Sequence, residues 1–433
     1  MKRTVFVPIA VVFWMVLGLW AVLSDAPALA GADGNGKIES VLADQLAVDG
    51  QADFIVRFAE QADLTPAYAM DWAARGEFVY NTLMETAQRS QAQARELLDA
   101  QGVAYQAYIA GNELYVQGGS LDAANALAAL GEVHDLRATR TYQIDPAVAV
   151  NPYANVRWAG DYLAYRLQVS AGPTPDALAW GIAYTKADQF WSTYLLQGNG
   201  MVVANIDTGV QWDHPALAQS FRCGDDPTDP ACWYDPTAVC GAAGACDNNG
   251  HGTHTMGSMV GDDDPTLAYQ AGMAPNARWI ACKGCENTSC SDAALLACAD
   301  WILAPGGNPA NRPHVVNNSW GDTGGNDWFL DQVNAWRAAG IFPAFSAGNG
   351  GSGCATLTSP GEYPESFTSG AHDMSGGVAF FSSRGPGSFD DIPYTKPNIS
   401  APGVNVCSSY PTNKYACING TSMASPHSAG AVA

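Results

Sequence analysis

The stretch VVANIDTGVQWDHPAL, residues 202–217, decides the fold that this sequence predicts. Its first residues are mostly apolar and β-prone, which is typical of a short strand buried on both faces of a sheet. The carboxylate of Asp207 follows this strand directly, ahead of a turn at Gly209. Ligands of parallel α/β sheets collect at the carboxyl ends of the strands, so Asp207 is a candidate functional residue.

Similar strands recur along the second half of the chain, between runs that are helical in composition. Three stretches are interpreted as further buried strands: WIACK at 279–283, HVVNNSW at 314–320 and IFPAFSAGN at 341–349. Two are interpreted as helices: SDAALLACADWIL at 291–303 and WFLDQVNAWRAAG at 328–340. Apolar strands separated by helices predict an α/β unit over residues 180–433, with a parallel sheet covered by helices on both faces.

A smaller α/β unit is predicted before it, over residues 31–145. Its elements are a strand at 53–58, a helical stretch at 70–100, two strands within 105–118, a helix at 121–130 and a last strand, VHDLRATRTYQI, at 133–144. This order is that of a ferredoxin-like unit. Residues 146–179 contain several prolines and little periodicity, which predicts an exposed linker that is open to proteolytic processing.

The N-terminus has the composition of a secretory signal. Lys2 and Arg3 precede an apolar run to about Leu23, and the small residues ALA stand before Gly31. This pattern predicts a signal peptide over residues 1–30 that is removed, and hence a secreted protein. The apolar run is also long enough for an uncleaved membrane anchor, which is the alternative.

Composition limits the partners of the protein. The formal net charge of -22 argues against nucleic-acid binding, because a phosphate backbone would be repelled. The length of 433 residues and the hydrophobic content of 47% favour more than one folded unit with a sizeable core.

The 11 cysteines all follow the predicted signal peptide, which fits an oxidising compartment. They fall into two clusters and a local pair, namely Cys223, Cys232, Cys240 and Cys246; Cys282, Cys285, Cys290 and Cys298; and Cys407 with Cys417. Disulfides are the favoured interpretation, and the odd count leaves one cysteine unpaired. The CKGC spacing at Cys282 and Cys285 leaves a metal or redox site as the alternative.

Three polar residues stand where strands end or helices begin. They are Asp207, His251 in DNNGHGTHTMGSMVG at 247–261, and Ser422 in NGTSMASPHSAGAVA at 419–433. Together they predict nucleophilic chemistry, because a serine hydroxyl attacks when an imidazole accepts its proton and a carboxylate orients that imidazole. Glycines beside them would let a substrate backbone approach closely.

Each of these residues also has a simpler interpretation. Asp207 alone could brace the turn that follows its strand. His251 and His254 are three residues apart and could bind a metal, although no third ligand presents itself. Ser422 alone could cap the helix that begins near it.

The three motifs, in the order Asp, His, Ser, resemble those of the subtilisin-like serine proteases, the subtilases. Four longer runs resemble the bacillopeptidase F branch in particular: VVNNSWGD at 315–322, VNAWRAAGIFPAFSAGNGG at 333–351, YPESFTSGAHD at 363–373 and PNISAPGVNV at 397–406. The resemblance covers about residues 180–433 and implies a subtilisin-like α/β fold that hydrolyses peptide bonds in protein or peptide substrates. The unit at 31–145 resembles the inhibitory propeptide of these proteases, chiefly in the order of its strands and helices.

The resemblance implies a role for each motif residue. Ser422 would be the nucleophile, His251 the general base and then the general acid, and Asp207 the residue that holds the imidazole tautomer. Asn349 would supply an oxyanion hole through its side-chain amide, together with the backbone N–H of Ser422. The cleft would be lined by residues that pair with the substrate as an added β-strand: Ser319, Trp320, Gly321, Ala347 and Gly348. The propeptide would be an intramolecular inhibitor of a monomeric enzyme.

Two features depart from the family pattern. Residues 221–249 form an insertion with four cysteines, and its aspartates, with GDDDPT at 261–266, raise the hypothesis of a structural calcium ion. No other cofactor is expected. In the family, the helix after the serine continues beyond the point that corresponds to Ala433, which favours a fragment or a shortened chain.

Two rival functions compete with the peptidase. An α/β-hydrolase esterase would have G-x-S-x-G and the order Ser, Asp, His, whereas this sequence has G-x-S-x-A around Ser422 and its serine comes last. A catalytically inactive, peptide-binding relative would keep the cleft as a docking surface.

Thr358 and Ser359 fall near the position of the family's specificity pocket.

Overall fold

The structure, a computed structural model, describes residues 36–144, 178–262, 269–387 and 393–433. The predicted signal peptide at 1–30 and all but the last two residues of the predicted linker at 146–179 lie outside the described residues. Within these four ranges, no helix is long and apolar enough to cross a membrane.

Residues 36–144, called the N-terminal unit below, form a small α/β fold. Its strands are β1 (Gln51–Phe58), β2 (Tyr105–Tyr108), β3 (Glu113–Ser120) and β4 (Val133–Ala138). Its helices are α1 (Ser40–Asp49), α2 (Trp72–Ser90), α3 (Ala92–Gln101) and α4 (Leu121–Ala128). The strands form an antiparallel sheet in the order β2-β3-β1-β4, which confirms the predicted ferredoxin-like topology.

Both faces of this sheet are covered, as the side chains of β1 illustrate. Phe54 and Val56 belong to the core of the N-terminal unit, whereas Ile55 belongs to the core of the larger unit that follows. Side chains alternate between the two faces of a strand, so a run of apolar residues buries both. The N-terminal unit therefore uses one face of its sheet to pack against the rest of the chain.

The prediction of a single strand over residues 133–144 is wrong. β4 ends at Ala138, and a separate strand, β5 (Thr141–Gln143), leaves the sheet and pairs antiparallel with β9 (Ser289–Ser291) of the larger unit. The carboxylate of Asp292 accepts hydrogen bonds from the backbone N–H of Arg140 at 2.9 Å and from the side chain of Arg137 at 2.6 Å. These bonds draw the end of the N-terminal unit onto the larger unit.

The larger unit is built on a sheet of seven strands. They are β6 (Val202–Asp207), β7 (Trp233–Tyr234), β8 (Arg278–Lys283), β10 (Val315–Asn318), β12 (Phe342–Ser346), β14 (Phe367–His372) and β15 (Ile399–Pro402). All neighbours pair in parallel, in the order β15-β14-β12-β10-β6-β8-β7, which confirms the predicted parallel α/β fold. The sequence FTSGAH of β14 was missed because small and polar residues fill most of this buried strand.

Helices and short strand pairs complete the larger unit. The helices are α5 (Trp180–Thr185), α6 (Ala187–Tyr194), α7 (His251–Val260), α8 (Asp292–Leu303), α9 (Leu330–Ala338) and α10 (Thr421–Val432). The pairs are β11 (Asp322–Thr323) with β13 (Thr358–Ser359), and β16 (Val406–Tyr410) with β17 (Lys414–Ile418).

Two central helices, α7 and α10, pack against each other inside the larger unit. Every residue of α7 is buried, and so are residues 421–430 of α10. The contact is so close that a Cβ on Gly430 would lie 3.0 Å from the carbonyl oxygen of Met259. Small side chains at such contacts let two helices approach, and here the approach involves the helices whose first turns carry His251 and Ser422.

Disulfides pair ten of the 11 cysteines, and the predicted clusters are confirmed. The pairs are Cys223–Cys232, Cys240–Cys246, Cys282–Cys298, Cys285–Cys290 and Cys407–Cys417. The metal or redox interpretation of CKGC is wrong, because Cys282 and Cys285 bond to different partners. Cys354 is the exposed free thiol.

Candidate active site

Four neighbouring strands of the sheet, β12, β10, β6 and β8, end at the same edge. Asp207 is the last residue of β6, and Ser319 directly follows β10. Asn349 comes shortly after the end of β12. Parallel strands present their carboxyl ends together, so three of the predicted site residues lie at one edge of the sheet.

Asp207 and His251 form a hydrogen-bonded pair. Oδ1 of Asp207 lies 2.8 Å from Nδ1 of His251. The carboxylate is fully buried, and Oδ1 also accepts the backbone N–H of Thr208 at 2.7 Å. A neutral imidazole that donates from Nδ1 carries its lone pair on Nε2, so the carboxylate selects the tautomer that can accept a proton there.

The glycines beside His251 serve the packing of the protein itself, contrary to the expectation that they make room for substrate. A Cβ on Gly252 would lie 2.1 Å from the carbonyl oxygen of Gly209, in the turn that follows Asp207. A Cβ on Gly250 would lie 2.3 Å from the ring of Tyr410. Gly252 therefore lets α7 start close to the turn after β6, and Gly250 leaves room for the ring of Tyr410.

Ser422 lies inside the first turn of α10, and the helix-cap interpretation is wrong because Gly420 occupies the cap position. The Ser422 hydroxyl donates to the carbonyl oxygen of Ser319 at 3.3 Å. In return, the Ser319 hydroxyl donates to the carbonyl oxygen of Ser422 at 3.0 Å. This reciprocal pair fixes the start of α10 against the end of β10.

Asn349 is held in one orientation by the residue before Ser422. Its Oδ1 accepts from the backbone N–H and from the hydroxyl of Thr421, at 2.9 and 3.0 Å. The amide nitrogen Nδ2 must then face the other way. A Cβ built on Gly420 would lie 3.5 Å from this Nδ2 and 3.6 Å from the backbone nitrogen of Ser422. Both nitrogens therefore lie near one point, as the two donors of an oxyanion hole would require.

The end of the N-terminal unit lies along the same region as an added strand. β5 pairs with β9 on one side, and Gln143 forms an antiparallel bridge to Gly321 on the other. The backbone N–H of Ile144 donates to the carbonyl oxygen of Thr288 at 2.8 Å. The ring of Tyr142 stacks on the ring of Trp328, with the two ring centroids 4.2 Å apart. Residues 141–144 thus occupy a groove between β9 and the segment that follows β10.

Two other residues of the predicted cleft, Trp320 and Ala347, have contacts within the fold. The Trp320 side chain is buried against Phe329 and Phe345, which leaves the prediction for its backbone untested. The backbone of Ala347 is used within the fold, since its N–H donates to Ser369 and its carbonyl accepts from Thr358.

Thr358 lies between the two segments that were predicted to line the cleft. A Cβ on Gly321 would meet its hydroxyl at 2.8 Å, and a Cβ on Gly348 would meet its methyl group at 2.7 Å. In addition, the N–H of Gly348 donates to the hydroxyl of Thr421 at 3.1 Å. Thr358 therefore closes the space between Gly321 and Gly348.

Buried polar contacts join the N-terminal unit to α8 and α9. The carboxylate of Asp300 accepts the backbone N–H groups of Ile109 and Ala110, both at 2.8 Å. Burial raises the pKa of Asp300 to about 7. Glu113 accepts from the side chain of Gln332 at 2.9 Å, and burial raises its pKa to about 8. The N-terminal unit is thus fixed by directed bonds as well as by apolar packing.

Metal binding by His251 and His254 finds no support in the geometry. Nε2 of His254 lies 3.0 Å from the carbonyl oxygens of both Val406 and Ala416, so it must carry a proton. Burial lowers the pKa of His254 to about 3, which keeps the ring neutral. Among the residues that the structure describes, no group of three His, Cys, Asp or Glu side chains is placed to hold a metal ion.

The aspartates of the insertion at 221–249 stabilise turns. Asp226 and Asp235 each accept from the backbone and hydroxyl of the threonine two residues further on, and Asp229 accepts the N–H of Ala231. Such bonds are typical of Asx turns. Calcium binding stays a prediction, and residues 263–266 of the second acidic stretch lie outside the described residues.

Three residues behind the Asp207–His251 pair were not predicted from the sequence: the buried Thr208 and Lys283, and the half-buried Asp247. Asp247 accepts the backbone N–H groups of Gly250 and Thr253, both at 2.8 Å, and so shapes the start of α7. The signal for Asp247 was its place four residues before His251. Lys283 was visible only as a charged residue at the end of an apolar strand.

Residues 198–433 match the Subtilase family. Bacillopeptidase F of Bacillus subtilis (strain 168) is 46% identical over 271 residues, which are 58% of this chain and 18% of that protein. The thermostable alkaline protease of Halalkalibacterium halodurans is 33% identical over 255 residues, 59% of this chain and 61% of that protein. Subtilisin Savinase of Lederbergia lenta is 33% identical over 258 residues, 59% of this chain and 83% of that protein. The chain therefore spans less than two thirds of the first two relatives.

Proposed function

Since the chain belongs to the subtilase family, we propose that it is the precursor of a secreted serine endopeptidase. The observation that carries the proposal is the 2.8 Å bond between Asp207 and His251, at the same sheet edge as Asn349 and the start of α10. The composition of residues 1–30 supports secretion. The arrangement suits acyl transfer, in which each of these groups has a defined task.

In the proposed reaction, Oγ of Ser422 attacks the carbonyl carbon of the substrate while Nε2 of His251 takes the hydroxyl proton. The negative oxygen of the tetrahedral intermediate accepts from Nδ2 of Asn349 and from the N–H of Ser422. The C–N bond then breaks, and His251 gives its proton to the leaving amine. Water repeats the sequence on the acyl ester, which releases the carboxylic acid and restores the serine. Asp207 holds the imidazole tautomer and stabilises its cation throughout.

We also propose that the N-terminal unit inhibits the enzyme until it is removed. Residues 141–144 lie in the groove as a strand, which is the position that a bound peptide would take by β-strand addition. The stacked pair of Tyr142 and Trp328 suggests that a peptide would place a large apolar side chain at the same point. Cleavage within residues 146–179 would release this strand and open the groove.

A fluorophosphonate probe tests the proposed enzyme activity. We expect it to label the processed protein at Ser422, because only a serine activated by an imidazole reacts rapidly with such probes. Peptide mapping by mass spectrometry identifies the site. Ser422→Ala should abolish labelling, whereas Ser425→Ala, a buried serine in the next turn of α10, should retain it. A folded, peptide-binding protein that the probe never labels would instead favour the inactive relative.

Processing by the protein itself is a separate prediction. The purified wild-type precursor should convert to a shorter form, and Ser422→Ala should remain full length under the same conditions. Gel electrophoresis and N-terminal sequencing measure the conversion. Processed wild-type protein added in trans should cleave the Ser422→Ala precursor, which controls for access to the linker. Conversion of pure Ser422→Ala at the wild-type rate would refute self-processing.

A further inference from the structure

Lys283 lies directly behind the Asp207–His251 pair. It is the last residue of β8 and the register partner of Asp207 on the neighbouring strand β6. Its side chain is fully buried. The ammonium donates to the carbonyl oxygen of Thr208 and, at 2.7 Å, to Oδ1 of Asn248.

Neither acceptor of this ammonium carries a charge, and within the described part of the chain Lys283 forms no ion pair. Burial lowers the pKa of Lys283. A buried charge without a bonded counter-charge is unfavourable, so ordinary stabilisation of the fold does not explain it. The carboxylates that face it come from four different segments: Asp247, Asp235, Asp207 and Glu286.

The two acceptors belong to two different segments, one next to Asp207 and one next to His251. Thr208 directly follows Asp207, and its hydroxyl donates to Asp247 at 2.9 Å and accepts the N–H of Gly252, also at 2.9 Å. Asn248 belongs to the loop that leads into His251. The Lys283 ammonium is thus bonded both to the segment after the carboxylate and to the segment before the imidazole.

We propose that Lys283 is a positioning residue of the proposed peptidase, whose ammonium joins these two segments and keeps a positive charge behind the Asp207–His251 pair. The inference rests on the function proposed above. The charge opposes protonation of the neighbouring imidazole, and His251 must be neutral to accept the serine proton. Lys283 would thereby extend activity to lower pH.

The sign of the expected change follows from the charges. Replacing Lys283 by a neutral residue removes a repulsion that acts only on the protonated imidazole, so His251 should hold its proton to higher pH. The groups that face His251 include the carboxylate of Asp207, from β6, and the neutral ring of His254, from its own helix. A merely structural Lys283 would change stability and leave the titration of His251 unchanged.

Titration of His251 by NMR in the full chain carrying Ser422→Ala tests the inference without requiring activity. Lys283→Gln keeps a hydrogen-bond donor and loses the charge, and its titration midpoint should rise by about one pH unit. Lys283→Arg keeps the charge, so the titration midpoint of His251 should stay near the one measured with Lys283 in place. Lys283→Met replaces the Gln variant if that variant does not fold, with thermal denaturation as the check.

The pH profile of kcat/KM for the processed protein is the second readout. In Lys283→Gln its acidic limb should move to higher pH by the same amount as the NMR titration midpoint of His251. An unchanged midpoint in Lys283→Gln, or an equal shift in Lys283→Arg, would overturn the role of the charge. If the midpoint shifts in NMR but the wild-type protein neither hydrolyses peptides nor reacts with the probe, the proposed function fails and the electrostatic role of Lys283 stands.

Discussion

Replacing Ser422 or His251 by alanine is expected to lower kcat of the processed protein by about a millionfold. The reason is that the hydroxyl and the imidazole act as a unit: without Nε2 of His251 the Ser422 proton has no acceptor, and without Ser422 no acyl ester forms. Asp207→Ala should lower kcat less, by about ten-thousandfold, because the imidazole remains while its orientation is lost. Hydrolysis of a chromogenic peptide, normalised to protein that is correctly folded, measures each loss.

The double variant Ser422→Ala/His251→Ala provides the decisive comparison. It should be no slower than Ser422→Ala alone, since removing one member already disables the unit. Ser425→Ala is the matched control within α10 and should retain nearly full kcat. A loss of merely tenfold in Ser422→Ala or in His251→Ala would remove that residue from the mechanism.

The fold could be predicted from the sequence where strands are apolar. Each of β6, β8, β10 and β12 contains consecutive apolar residues, and their order with the helices predicted the parallel sheet. β14, with the sequence FTSGAH, has little of this signal, because most of its own buried residues are small or polar. Local pattern identifies a buried strand only when burial is achieved by apolar residues.

The break after Ala138 could not be predicted for a different reason. Residues 133–144 alternate as one β-prone run, and nothing in that run marks Arg140 as the point of departure. The cause lies far along the chain, in the Asp292 carboxylate that binds Arg137 and Arg140. Because this contact joins residues more than 150 positions apart, only the folded chain reveals it.

Some residues of the candidate site could be predicted from the sequence and others could not. Asp207, His251 and Ser422 stand out in the sequence because each places a reactive group at the end of a strand or in the first turn of a helix. Thr208, Asp247 and Lys283 act through bonds between loops, and each has an ordinary interpretation as a turn or surface residue. The residues that carry a reaction are therefore easier to find in a sequence than those that orient them, since orientation is a property of contacts.

Asn349→Ala is expected to lower kcat by about a hundredfold to a thousandfold and to leave KM nearly unchanged. The amide Nδ2 would donate to an oxygen that becomes negative only in the transition state, so its loss affects turnover more than binding. Steady-state kinetics with the same chromogenic peptide separate the two constants. Asn349→Asp should lose at least as much, because the carboxylate still accepts from Thr421 but repels the oxyanion.

The Asp variant matters because Asn349 has two tasks. Its Oδ1 holds the N–H and the hydroxyl of Thr421, next to the serine, so Asn349→Ala also removes a positioning contact. Thr421→Val breaks one of these bonds and keeps Nδ2, and Thr421→Ser is its matched control. If Thr421→Val and Asn349→Ala lose the same activity while Asn349→Asp loses none, the residue orients α10 and donates nothing to the oxyanion. A large loss of kcat in Asn349→Asp, together with a small loss in Thr421→Val, would show that Nδ2 of Asn349 donates to the oxyanion.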